Sequence, residues 1–137
     1  MMLTWQQWMN KSQASMTAAR NSLMAEDLAA AVSRAYFAAF QAVTGILIKR
    51  GDKPNPATGN WGHTGTQNQF TVLIRQIRSK QRRLRQARQH FRNLYLARPY
   101  ADYGDDSIFT TNTVEQLVRQ AGQVVSLMQR LIEDGDI

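Results

Sequence analysis

The sequence predicts an all-α fold, an up-and-down antiparallel bundle of four to five helices, from three observations. Apolar residues recur at three- and four-residue steps along most of the chain. Start and stop signals bracket those segments. No segment alternates apolar and polar residues as a half-buried strand would. With 137 residues, 43% of them hydrophobic, the chain is expected to form one domain, 1–137, with a core of its own.

The first helix opens at Thr4, followed three residues later by Gln7 as in a capping box. Trp5, Trp8, Met9, Met16 and Leu23 share one side of it to about Met24, where the two tryptophans anchor it on the core. The second runs from Glu26 to Arg50, with acids at its start and Lys49, Arg50 and Gly51 at its end. Leu28, Val32, Ala35, Tyr36, Ala39, Phe40, Val43 and Leu47 make it the central core helix, and its alanines allow close approach by a neighbour. Arg34 stands among these apolar residues and is expected to snorkel to the edge or to pair with a carboxylate.

From Asp52 to Gly65 the prolines Pro54 and Pro56 and the glycines Gly59, Gly62 and Gly65 require a loop. It has neither Walker nor Gly-x-Gly-x-x-Gly spacing. Thr64 or Thr66 is then expected to cap a third helix carrying Phe70, Leu73, Ile74 and Ile77, with a bend or break over Ser79 to Arg83. In the fourth helix, from Gln81, Leu84, Ala87, Phe91 and Leu94 form a narrow apolar seam, and Arg82, Arg85, Arg88 and Arg92 project elsewhere. Its end is expected near Ala97, since Arg98 precedes Pro99. Asn112 followed by Glu115 signals a last helix, with Val114, Leu117, Val118, Ala121, Val125, Met128 and Leu131 on one stripe to about Ile132.

Charge narrows the class of partner. The formal net charge is +7, and no Asp or Glu occurs from Lys53 to Ala101, a stretch rich in arginine. Guanidinium pairs bidentately with phosphate and stacks on bases, so RNA or another polyanion is expected on Arg82, Arg85, Arg88 and Arg92. There is no cysteine, hence no disulfide framework, thiolate zinc site or thiol nucleophile. The opening residues lack a signal-peptide pattern, and the apolar run Ala35 to Ile48 is short and interrupted, so a cytoplasmic protein with no membrane contact is expected. His63 and His90 lie in separate segments, and Asp102, Asp105 and Asp106 lack calcium-loop or zinc spacing, so neither metal nor cofactor is expected.

The basic stretch runs straight into these three acids through RNLYLARPYADYGDD, Arg92 to Asp106. Such a junction gathers arginine, carboxylate and the phenols Tyr95, Tyr100 and Tyr103, which suits binding and cleaving a phosphate backbone; a helix end with a solvated turn accounts for it equally. SRAYFAAFQAV in the second helix, HTGTQNQF opening the third and RPYADYGD at Arg98 to Asp105 occur in the order found in small stand-alone prokaryotic members of the HEPN superfamily, which the chain resembles from about Leu28 to Ile132.

The resemblance implies a helical bundle that dimerises and sets two copies of a polar motif in a basic cleft. Many such proteins are metal-independent endoribonucleases of toxin or defence systems. Others are non-catalytic modules that bind RNA, a nucleotide or a partner protein. The family signature places a histidine four to six residues after an arginine; here Asp102 and Tyr103 follow Arg98 and no histidine stands there. Arg85 and His90 match the spacing upstream, yet at about 100° per residue they point about 140° apart. RNA cleavage needs a proton taken from the 2′-OH and positive charge around the phosphorane. Arg98 is the candidate for the charge, Asp102 for taking a proton or holding Arg98, and Tyr103 for positioning a phosphate oxygen. The resemblance further implies a minimal nucleotidyltransferase-type antitoxin that adds AMP to Tyr103 or Tyr100. The alternative for Tyr103 is a ring packed on the bundle end and hydrogen-bonded to Asp102 or to a backbone carbonyl.

Overall fold

A computed structural model describes residues 2–104 and 106–137, Asp106 by its backbone alone. Five helices follow one another, α1 (Trp5–Met24), α2 (Leu28–Arg50), α3 (Gly62–Gln76), α4 (Gln81–Asp102) and α5 (Thr111–Glu133), with a 3-10 turn at Asp106–Ile108. Among the described residues there is no strand.

The expected capping box is present at α1, where Thr4 Oγ1 accepts from Gln7 N at 3.2 Å and Thr4 N donates to Gln7 Oε1 at 2.8 Å. Asp27 caps α2, and Gly51 ends it in the left-handed conformation that glycine adopts without a Cβ penalty. α2 is the central element, touching α1, α3, α4 and α5. Long and apolar enough to cross a bilayer by composition, it has 72% of its apolar window buried inside the bundle. Ala31, Ala35, Ala38, Ala39 and Ala42 are fully buried, and these small side chains let the neighbours approach.

One such close approach, by α1, is at Gly45. A Cβ there would lie 3.0 Å from Met9 Sδ, 3.2 Å from the Trp5 carbonyl oxygen and 3.2 Å from Trp8 Cβ. α1 runs antiparallel along this face, with Lys49 Nζ over the Trp5 ring at 5.2 Å and Ser12 Oγ donating to the Ala38 carbonyl at 2.7 Å.

Four local expectations need correction. α3 begins at Gly62 after Trp61, which offers no side-chain cap; Asn60 Oδ1 accepts from Gly62 N at 2.7 Å, so the helix starts before Thr64 and Thr66. Thr110, whose backbone is extended, caps α5, and Asn112 already lies inside its first turn. Arg34 neither snorkels nor pairs: it is exposed on α2, without a carboxylate partner among the described residues. α4 passes through Pro99 to Asp102, adding more than a turn beyond Ala97. Proline removes one helical hydrogen bond, but the following N–H groups of Tyr103 and Gly104 return to the Pro99 carbonyl at 2.8 and 3.0 Å.

The break between α3 and α4 spans residues 77–80, so it overlaps the expected Ser79 to Arg83 only at Ser79 and Lys80. Lys80 takes a left-handed conformation (φ 58°), unfavourable for a residue with a Cβ. Its amine meets Asp136 at 2.5 Å and Asp134 at 3.0 Å, which ties this turn to the chain's last residues.

Gly45→Ala tests the α1–α2 approach. Helix propensity favours alanine by about 1 kcal/mol, whereas overpacking against a backbone carbonyl costs about 1–3 kcal/mol. A lowered thermal midpoint is expected; an unchanged or higher one would show that α1 has room to move.

Candidate functional site

The inward seam of α4 continues beyond its apolar residues. Leu84, Phe91 and Arg98 stand seven residues apart, so on a helix they point in nearly one direction. Leu84 and Phe91 are fully buried, while Arg98 comes at the end of the bundle, where the seam opens. Its guanidinium stacks on two α2 rings, 5.3 Å from the Tyr36 centroid and 5.8 Å from that of Phe37. Arg98 Nη1 donates to Asp102 Oδ2 at 2.8 Å, one turn along α4, with the side chains 15% and 20% exposed. Arg98 Nε is buried and has no acceptor among the described residues.

Tyr36 is fully buried and surrounded by rings, with Phe37, Phe40, His63, Phe91 and Tyr95 at 5.3 to 6.3 Å between centroids. A buried hydroxyl requires a partner, and it has one: Tyr36 Oη lies 2.6 Å from His63 Nδ1, in the first turn of α3. Burial pushes the Tyr36 phenol well above its usual range, against the opposing influence of Arg98, so the phenol keeps its proton. Burial also lowers the His63 pKa, Arg98 adds to that, and Asp102 partly opposes it. Neutral imidazole therefore dominates at neutral pH, and the 2.6 Å contact fits both of its tautomers: Tyr36 donates to a bare Nδ1 or accepts from Nδ1–H.

An open cleft of about 600 Å³ lies against this cluster, lined by Trp61, His63, Thr64, Tyr95, Leu96 and Arg98 among others. Thr64 Oγ1 and Tyr95 Oη sit 3.3 Å apart on its wall. It thus offers a cation, a neutral imidazole and two hydroxyls.

Of the residues singled out from the sequence, Arg98 and Asp102 come together. Tyr103 and Tyr100 do not join them: they are 83% and 52% exposed, and Tyr103 neither packs on the bundle end nor bonds Asp102. Arg82, Arg85, Arg88 and Arg92 are exposed and unpaired among the described residues. They lie on the outer side of α4, and Arg92 is about 9 Å along the axis from Arg98. Asp105 and the side chain of Asp106 lie outside the described residues. His63, Tyr36 and Phe37 had not been recognised as site residues, although both segments carrying them had been marked for their motifs.

The electrostatics can be read out by NMR titration of the histidine ring protons. His63 should titrate below its ordinary value near 6.5, rise in Arg98→Gln and fall in Asp102→Asn; no movement in either variant would contradict this arrangement. Because both His63 and His90 have depressed values in the fold, their contribution to stability is present above about pH 6.5 and is lost as pH falls through the folded values.

No curated protein matches the chain. A family model described as the HEPN domain matches residues 5–131, from the first turn of α1 to the last of α5. The SRAYF segment of α2, the HTG opening of α3 and the RPYAD end of α4 meet in one cluster inside that span, and the chain belongs to the HEPN-domain family.

Proposed function

We propose that this protein is a metal-independent endoribonuclease of HEPN type, a cytoplasmic toxin or defence component acting on RNA as a dimer. The observation that carries this reading is the stacking of Arg98 on Tyr36, the same phenol that holds His63. A guanidinium and an imidazole supply the two things the reaction requires, charge beside the phosphorane and a proton carrier.

In this reading Arg98 binds the scissile phosphate and Asp102 fixes its rotamer. Tyr36 sets the His63 tautomer. With Tyr36 donating to Nδ1, Nε2 carries the proton of a neutral ring and can only donate a hydrogen bond to a phosphate oxygen. If the phenol instead accepts from Nδ1–H, Nε2 is free to take the 2′-OH proton. His63 thereby fills, from α3, the role of the histidine missing after Arg98. The exposed Tyr103 and Tyr100 are then not catalytic; they are open to AMP transfer from a nucleotidyltransferase-type antitoxin, which would place a negative charge near Arg98. The exposed apolar surface of Leu96, in the cleft wall, and of Tyr100, next to the lining residue Pro99, favours a second copy of the chain there.

One observation favours the non-catalytic alternative, an RNA-binding module. The Asp102 carboxylate already offsets the charge Arg98 would lend to a phosphate.

Incubation with total RNA in EDTA separates the two. Cleavage is expected, with Arg98→Ala and His63→Gln each reducing it by about 10²–10⁴-fold; binding without cleavage by the unaltered protein would establish the module. The affinity for single-stranded RNA should lose about 0.7 of log–log salt slope for each of Arg82, Arg85, Arg88 and Arg92 removed, if each meets a phosphate. Charge reversal at two of them that leaves the slope untouched would remove this face from the interface.

A further inference from the structure

A second concavity, distinct from the Arg98 cleft, lies between α1, α4 and α5. It measures about 710 Å³, within the range of small-ligand sites. Arg20 from α1, Arg83 from α4 and Arg119 from α5 line it together with His90 and Glu115. On α4, Arg83 and Arg92 are nine residues apart and so point about 180° from each other, which sets this groove on the opposite side from the outward arginine stripe.

The charges are unbalanced. Arg50, Arg98 and Arg130 each pair with a carboxylate, whereas Arg20, Arg83 and Arg119 have no partner among the described residues. Gly122 leaves space for the Arg20 guanidinium to lie across α5, 3.6 Å from where a Cβ would stand. His90 Nδ1 is buried without a hydrogen-bond partner among the described residues, and burial lowers the pKa of this imidazole. Three cations against the one carboxylate of Glu115 leave two positive charges, the complement of a phosphomonoester dianion. A carboxylate in the same groove would repel a bare anion but accepts hydrogen bonds from sugar hydroxyls. Leu23 and Val118 add an apolar wall for a ring.

We propose that this groove binds a phosphomonoester of nucleotide size, its phosphate on Arg20, Arg83 and Arg119 and its ribose hydroxyls on Glu115. The site goes beyond the RNA-cleaving reading and does not depend on it.

The test is calorimetric titration of the full chain with 5′-CMP, cytidine and a 5′-phosphorylated RNA trinucleotide. Saturable binding of 5′-CMP is expected, with cytidine much weaker. Arg83→Gln and Arg119→Gln should each weaken it roughly tenfold, the weight of one hydrogen bond to a charged group, while Arg75→Gln on α3 leaves it unchanged. If the trinucleotide binds more tightly than 5′-CMP and loses affinity in the same two variants, the groove takes the 5′ end of an RNA; if 5′-CMP is tighter, it takes a free nucleotide. Absence of saturable binding at millimolar ligand, equal affinity for cytidine, or a loss in Arg98→Ala but not in Arg83→Gln would overturn the proposal, the last by placing the ligand in the cleft.

Discussion

The hydroxyl of Tyr36 is a polar group in the middle of a hydrophobic bundle, and much of the site's geometry follows from the need to satisfy it. Left without a partner it would cost about 1–3 kcal/mol. His63 is that partner, and the bond pins the start of α3 to the middle of α2. The ring of the same residue supports the Arg98 guanidinium, an interaction worth up to about 2 kcal/mol where solvent is largely excluded. One side chain thus fixes the relative positions of three helices and sets a cation beside an imidazole. Replacing the phenol by phenylalanine would keep the packing and lose the instruction to His63.

The end of α4 is shaped by the same constraint. Arg98 occupies the next heptad step after Leu84 and Phe91, so the helix must continue for its side chain to face Tyr36. Asp102 lies one turn further on and reaches it only if the helix persists through Pro99. The backbone preference of a residue before proline is outweighed here by a stacked and ion-paired arginine. The cluster's cation therefore stands on a rigid helix rather than in a loop, which suits the phosphate-holding role proposed for it.

Helix number, the central role of α2 and the cap at Thr4 were legible in the sequence, because periodicity and capping are local signals. The seam on α4 was legible for the same reason, and with it the separation of Arg85 from His90. The helix end at Pro99 was misread because a local rule was applied where tertiary contacts prevail. Asn112 and Thr110 are both good caps, and nothing local chose between them. Arg34 looked buried because its sequence neighbours are apolar, yet it falls on the solvent side of α2. The part of the site hardest to read was His63, which bonds Tyr36 across 27 residues and lines the same cleft as Arg98. A search for histidine close to arginine in the sequence passes over a histidine delivered by the fold, although the HTG segment had been noted for its motif.

The central claim is that Tyr36, His63 and Arg98 act on RNA as one unit. A double-mutant cycle measures this most directly: single-turnover RNA cleavage in EDTA by the unaltered protein, Tyr36→Phe, His63→Gln and the double variant, with helical content checked by circular dichroism. If Tyr36 works only through His63, the double variant should be no slower than His63→Gln alone, so that the two losses fail to add. Losses that multiply, or a Tyr36→Phe protein as active as the unaltered one, would contradict the account.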